Sequence, residues 1–461
     1  MSFIEKYSKL FRLLIPSPTS IALLLTIFVF LLAFFWNSNS VELDYQEKFT
    51  HLLDSWYKGL WGKAGLAFAF QMMLMLLLGH VLALSKPVEL FINRITPYCN
   101  STYKAAFIVT LLTLIVAWFN WGLGLIFGAV FARKIGDYAL KTNLKINYAL
   151  IGAAGYSGLM IWHGGISGSS LIKASEQGHF SELISNNKIV SQLPDSISFS
   201  ETVFSSMNLS ITAALLIILP LLMYFIGTKV KPSNIPIITI DESKSKQLNI
   251  IGAEKLDNSK IFSYILAFAF LIYAVYIAYS HPKFTQLKFI NPDYINFLLL
   301  GFAILFHGSI SKFLSAVTNA ISGVSGILIQ FPLYFGIMGI MSGSGMINDI
   351  AIFFQEISTG VTYPLYTMLS AAIVNIFVPS GGGQWYIQGP IVLQTAVEMN
   401  LPIAKSIMAL AYGDQLTNML QPFWALPLLG ITGLKAKDIL PYTLILMLIG
   451  GIIFSIGLLV F

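Results

Sequence analysis

A carboxylate stands where an apolar chain has least use for one. Asp414 lies in Ala411-Tyr412-Gly413-Asp414-Gln415-Leu416-Thr417-Asn418, deep in a stretch otherwise suited to crossing a bilayer. An ionised acid at that depth costs on the order of 2.5–3.5 kcal/mol even on the lenient insertion scale. Two events relieve that cost: a proton neutralises the acid, or Na⁺ binds among hard oxygen donors. The residues suggested for ion coupling are Asp414, Gly413, Thr417 and Ser380, with Na⁺ near Asp414 or H⁺ on it. The alternative is an Asp that caps the N-terminus of a half-helix.

Three further stretches could do chemistry. Val378-Pro379-Ser380-Gly381-Gly382-Gly383-Gln384-Trp385 cannot hold a helix through its proline and glycines. Trp118-Phe119-Asn120-Trp121-Gly122-Leu123-Gly124 and Trp162-His163-Gly164-Gly165-Ile166-Ser167-Gly168-Ser169-Ser170 interrupt apolar runs in the same way. Half-helix N-termini at such breaks offer N–H groups and a positive dipole end to an anion, and glycine lets the backbone come close. The substrate-binding candidates are therefore Asn120, Trp121 and Gly122; His163, Gly164 and Ser167; Ser380, Gly381, Gly382, Gly383, Gln384 and Trp385; and Thr417 with Asn418. Trp121, Trp385 and Trp424 could enclose a small apolar tail. No Lys or Arg lies in either glycine-rich tip or either break, so a single carboxylate fits better than two or three. Each residue also has a plainer reading: Trp as packing, Ser and Thr as partners for broken backbone, Gln71 and Gln330 as interhelical glue.

The elements around these stretches must be membrane helices. Of 461 residues, 56% are apolar and 10% charged, against roughly a quarter charged in soluble domains. This is an all-α polytopic membrane protein. The basic excess points to the positive-inside rule rather than to nucleic acid. The single Cys99 excludes an internal disulfide. Continuous spans are expected near 19–36, 61–84, 203–226, 261–279, 294–311, 326–341 and 440–461, behind an amphipathic lead over 1–16. The runs at 104–134 and 365–398 have arms too short to cross singly, against ~20 residues for a full span. They read as re-entrant hairpins with their tips walling a cavity. Broken spans follow at 147–172 and 403–431, the second interrupted at 412–418 and at Gln421-Pro422.

The halves echo each other. A span with a central Gln, a hairpin, a broken span and an unbroken span recur in that order in 1–228 and 261–461, on either side of a hydrophilic linker at 229–260. With the N-terminus in the cytoplasm, nineteen of the 27 Lys and Arg fall inside and eight outside. The same count starts the first repeat inside and the second outside, so the two repeats are inverted. No His-Glu-x-x-His, Gly-x-Ser-x-Gly, ATP-binding loop or Cys/His cluster is present, so a gradient-driven carrier is favoured over an enzyme or channel.

Phe119-Asn120-Trp121-Gly122-Leu123-Gly124-Leu125, Val378 to Pro390, Ala411 to Gln415 and Gln421-Pro422-Phe423-Trp424-Ala425-Leu426-Pro427 resemble the bacterial short-chain fatty acid transporter family over nearly the whole chain. The resemblance implies uptake of acetoacetate- or butyrate-like acids by ion symport, an elevator-type mechanism and a homodimer in the bacterial cytoplasmic membrane. A C4-dicarboxylate carrier of the same superfamily is the alternative. The family's acid in the third motif is often Glu, whereas Asp414 is shorter. His163 stands where a small residue is expected.

Overall fold

The computed structural model describes residues 18–36, 44–175, 177–184, 187–236, 252–282, 289, 292–346, 349, 352–353, 356–377 and 381–461. Ser380, the lead at 1–16 and most of the linker (237–251) lie outside the described residues. Among the described residues every regular element is a helix. The first half contains α1 (Pro18–Phe35), α2 (Tyr45–Leu60), α3 (Lys63–Ala83), α4 (Lys86–Ile95), α5 (Thr102–Phe119) and α6 (Trp121–Thr142). A fragmented segment follows: α7 (Tyr148–Tyr156), single turns at Ser157–Met160 and Trp162–Gly164, and α8 (Ser169–Ala174). After α9 (Ser206–Lys229), the second half contains α10 (Lys260–Ser280), α11 (Pro292–His307), α12 (Ile310–Ala320), α13 (Ser325–Gly343), α14 (Tyr363–Phe377) and α15 (Gly381–Glu398). It closes with α16 (Ile403–Thr417), a turn at Asn418–Leu420, α17 (Pro422–Thr432) and α18 (Ala436–Val460).

Asn120 turns the chain back on itself. It is extended (φ −150°, ψ 121°), ends α5, and caps α6 by accepting the Leu123 N–H at 3.0 Å on Oδ1. A Cβ on Gly124 would lie 2.5 Å from Ala117 Cα, and one on Gly128 would lie 2.9 Å from Thr113 Cγ2. Both pairs are evenly spaced about Asn120, so α5 and α6 are antiparallel. The other pair of arms is bound together by polar groups. Gln384 Nε2 donates to Ala371 O at 2.8 Å, Gln388 Nε2 to Ser370 Oγ at 3.2 Å, and Tyr363 Oη to Val392 O at 3.1 Å. These partners make α14 and α15 antiparallel as well.

The structure corrects several expected boundaries. α5 alone, with 18 residues, is long and apolar enough to cross a bilayer, as are α9, α10 and α18. The expected 294–311 span ends at His307; Gly308, at φ +68°, lets the chain bend by 118° into the amphipathic α12. α2 has no counterpart among the expected spans because its charged face hides it from hydropathy. It docks on α13 through small residues: a Cβ on Gly339 would collide with Ser55 O, and His51 Nε2 lies 3.0 Å from Gly343 O. Gln71 Nε2 donates to Asp293 Oδ1 at 2.6 Å and Gln330 Nε2 to Thr19 Oγ1 at 2.9 Å, joining α3 to α11 and α13 to α1. Large apolar side chains such as Ile265, Phe268 and Ile272 on α10 face outward, where lipid is the only compatible solvent.

Candidate functional site

α16 continues as a regular helix through Gly413 and Asp414 to Thr417, so the expected interruption at 412–418 is displaced to 418–421. The glycine serves packing rather than bending: a Cβ on Gly413 would collide with Met368 O of α14. Asp414 therefore sits in the last turn of a helix and cannot be an N-cap. The negative dipole end disfavours a carboxylate there and favours a proton or cation beside it.

Side chains bond several carbonyls at the break after Thr417. Asn375 Nδ2 donates to Asp414 O at 2.6 Å, Tyr156 Oη to Asn418 O at 2.8 Å and Gln421 O at 3.1 Å, and Thr443 Oγ1 to Met419 O at 2.6 Å. Thr417 Oγ1 donates to Ala372 O at 2.8 Å and accepts from Asn375 Nδ2 at 3.0 Å. Asn418 Oδ1 accepts from the same nitrogen at 2.9 Å. Gln421 Nε2 bonds to Asn375 O.

Against Asp414 lies the other broken segment. It leaves the α-helix at Tyr156, earlier than expected, and proceeds through two single turns to an extended Gly165. Gln415 Oε1 fixes it by accepting the His163 N–H at 2.9 Å. The His163 ring is fully buried and stacks on Trp162 with centroids 4.3 Å apart. Its Nε2 accepts the Ser170 backbone N–H at 3.1 Å and lies 2.9 Å from Ser170 Oγ. A backbone N–H can only donate, so Nε2 carries the lone pair and the ring hydrogen belongs to Nδ1. Nδ1 faces Asp414 Oδ1 at 3.5 Å, within ion-pair range but beyond a hydrogen bond. Gly164 is held by Asn208, whose Nδ2 donates to Gly164 O at 2.8 Å and whose Oδ1 accepts from Tyr412 Oη at 2.9 Å.

Gly381 opens α15 against this pair. A Cβ there would lie 2.9 Å from Trp162 Cη2, 3.0 Å from His163 Cε1 and 3.2 Å from Asp414 Oδ2. Only glycine brings the positive end of α15 so near the acid. At Gly382, one residue on, a Cβ would meet nothing within 4 Å. Gly383 completes the turn. Gln384 and Trp385 are fully buried and turn away: Gln384 binds within its hairpin, and Trp385 Nε1 donates to His179 Nε2 at 2.9 Å.

The first hairpin joins through Trp121. Its backbone N–H donates to Ser167 Oγ at 3.0 Å, and its ring lies 5.9 Å from that of Trp162 and 5.2 Å from that of Trp424. Gly122 makes room for Met75, since a Cβ would overlap the sulfur. The structure thus brings Asn120, Trp121, His163, Gly164, Ser167, Gly381, Gly382, Asp414, Thr417 and Asn418 to one place, while Ser380 lies outside the described residues. Sequence reasoning missed Asn375, Gln415, Asn208 and Tyr156. A lone amide inside the apolar arm 365–378 was the available signal for Asn375.

Among the described residues, eight buried polar atoms here have no partner. They are Asn120 Nδ2, Trp162 Nε1, His163 Nδ1 and Asn418 Nδ2 among donors, and Asn375 Oδ1, Gln421 Oε1 and both Asp414 oxygens among acceptors. Each would cost about 1–3 kcal/mol if left dry. Such a concentration marks a place built to receive a polar guest.

Residues 4–461 match the sequence profile of the short chain fatty acid transporter family. A candidate short-chain fatty acid transporter of Escherichia coli is 34% identical over 457 residues, which is 97% of this chain and 96% of that protein. One of Haemophilus influenzae is 34% identical over 466 residues, 99% and 97% of the two chains. Among solved structures, the Alcanivorax borkumensis YdaH transporter aligns at 13% identity and a TM-score of 0.41, covering 96% of this chain and 98% of that one. Neisseria gonorrhoeae MtrF, of a class of antimetabolite efflux pumps, aligns at 15% and 0.38, covering 97% and 94%.

Proposed function

The chain belongs to the short chain fatty acid transporter family, and from that premise we propose that it is a secondary carrier of acetoacetate- or butyrate-like monocarboxylates driven by ion symport. The observation that carries this reading is the set of unpaired buried donors, Asn120 Nδ2, Trp162 Nε1 and Asn418 Nδ2, with the Trp162 ring packed against Gly381 at the opening of α15. Those donors with the helix N-terminus suit one carboxylate, and the Trp121–Trp162–Trp424 cluster suits a short apolar tail. A second carboxylate would meet Asp414 rather than a cationic side chain. Asp414 is the ion-coupling group.

The two halves act as inverted repeats in an elevator mechanism. The hairpins and broken spans move as one unit against a scaffold of α1–α3 and α10–α13. Small-residue packing of α2 on α13 and the Gln71–Asp293 bond support that scaffold's rigidity. Two copies join through scaffold helices, in the bacterial cytoplasmic membrane with the N-terminus inside. Counterflow of labelled butyrate, acetoacetate and succinate in proteoliposomes tests the substrate. Exchange of succinate without exchange of either monocarboxylate would overturn it in favour of a dicarboxylate carrier.

A further inference from the structure

We propose that the coupled ion is one proton, held on Asp414 Oδ2 between Asp414 and the substrate carboxylate, with His163 as the neutral positioning residue that presents its Nδ1–H to Oδ1. This rests on the monocarboxylate reading above. The argument begins at the far side of the imidazole. Both neighbours of Nε2, the Ser170 N–H at 3.1 Å and Ser170 Oγ at 2.9 Å, are satisfied by a lone pair on that nitrogen. An imidazolium would point an Nε2–H at the Ser170 N–H, so His163 stays neutral and its single hydrogen faces Asp414 Oδ1.

That hydrogen favours a proton over the rival ion. Na⁺ beside Asp414 Oδ1 would face the donor hydrogen of His163 Nδ1, and the carbonyls at 414, 418, 419 and 421 each already accept a hydrogen bond. A proton needs only one oxygen, and Oδ2 is unpartnered. Oδ2 also lies on the side of Gly381, where the dipole of α15 draws the substrate anion. Two carboxylates so placed cannot both stay ionised, so one proton is shared between them. The balance is simple: H⁺ adds to the Asp414 carboxylate, the resulting O–H donates to the substrate carboxylate, and both leave on the other side. One H⁺ moves with one RCOO⁻, and no net charge crosses.

Other titratable groups on the elements packed around Asp414 are occupied or distant. On α14, Tyr363 bonds to Val392 O, and Tyr366 lies at the opening turn; on α15, Glu398 closes the helix and accepts from Gln394 at 2.8 Å. Lys173 ends α8, and Lys437 and Asp438 open α18, whose Tyr442 lies 3.3 Å from Asn147 Nδ2. Tyr156 bonds to Asn418 O, and on α16 itself Tyr412 bonds to Asn208 while Lys405 stands in the first turn. Among the described residues, the ionic contact of Asp414 is with His163.

The test uses the purified full-length protein with butyrate. In weakly buffered detergent solution, a pH indicator should report one proton taken up per butyrate bound, and the Kd should rise tenfold per pH unit. Asp414→Asn should bind with no proton uptake and a flat pH profile. His163→Asn, which keeps a donor near the Nδ1 position, should keep the stoichiometry, while His163→Gln should not. In proteoliposomes, corrected for protein-free vesicles, accumulation should follow the pH gradient and ignore both Na⁺ and a valinomycin-set potential. Binding without proton uptake, or a Na⁺ requirement, overturns this inference and leaves the monocarboxylate reading standing. Failure of the protein to bind either butyrate or acetoacetate overturns both.

Discussion

Gly381 and Gly382 are neighbours in one helical turn, yet a side chain should have opposite consequences at each. At Gly381 a Cβ would be 2.9 Å from Trp162 and 3.0 Å from His163, and both rings are buried, so neither can retreat into solvent. Overpacking of this kind costs about 1–3 kcal/mol. At Gly382 the added carbon meets nothing within 4 Å. There the Gly→Ala change gains the helix-propensity difference, roughly 0.5–1 kcal/mol. Gly382→Ala should therefore unfold in detergent no earlier than the parent, and Gly381→Ala earlier. Transport is predicted to separate from stability. Gly382→Leu puts a four-carbon side chain, the size of a short acid's tail, into the open space at the first turn of α15. Uptake of labelled butyrate should fall at least ~100-fold, equivalent to about 2.7 kcal/mol, with expression and thermal stability intact. Near-normal uptake by Gly382→Leu would mean that substrate does not use that space. Loss of folding in Gly382→Leu would mean that the space is not open.

Four other outcomes are expected. Asn120→Ser keeps a cap for Leu123 but removes the unpaired Nδ2, so it should raise the half-saturating butyrate concentration several-fold without lowering thermal stability. Tyr156→Phe strips the hydroxyl from Asn418 O and Gln421 O and should destabilise the protein by about 1–3 kcal/mol, read as an earlier thermal transition. Gly339→Leu should separate α2 from α13 and be lost at the level of folded yield, measured by size-exclusion chromatography. For topology, Cys99 is buried and its thiol is pushed up to about 12, so almost no reactive thiolate exists at pH 7–8. An engineered Ser243→Cys should then be the sole site labelled by a membrane-impermeant maleimide, and from the cytoplasmic face; labelling from outside would reverse the proposed orientation.

The sequence was most legible where composition alone decides. Few charges and long apolar runs leave no fold but a bundle of membrane helices. Asn120 lay in the stretch read as interrupting two apolar runs, and the structure adds that its amide caps the second helix. Helix ends elsewhere were poorly legible. Gly413 looked like a breaker because glycine is a weak helix former, but its lack of a side chain is used by Met368 O from the neighbouring helix. The charged α2 escaped notice because its partner is a stripe of glycines on α13, distant in sequence. The site was legible as separate pieces. Asp414, His163 and Gly381 each stood out, but nothing in a single chain pairs them. Asn375 and Tyr156, which satisfy the broken backbone, read as ordinary members of apolar spans.

The satisfied backbone explains what the site leaves for a guest. An unwound membrane helix must find partners for its freed carbonyls, and either a cation or the protein itself can provide them. Here the protein does so: Asn375, Tyr156 and Thr443 reach the carbonyls around 414–421 from three other elements. The side chains here leave both unpaired donors and unpaired acceptors. Donors on Asn120, Trp162 and Asn418 suit the anion, and the Asp414 oxygens suit the proton. The helix ends follow the same division, since α16 presents its negative end at Asp414 and α15 its positive end at Gly381. An anion entering at α15 without a proton at α16 would add a second negative charge to a buried acid. A proton without the anion would leave the donors and the α15 terminus dry. In the proposed carrier each guest would remove the penalty that opposes the other, the reciprocity that the proposed symport requires.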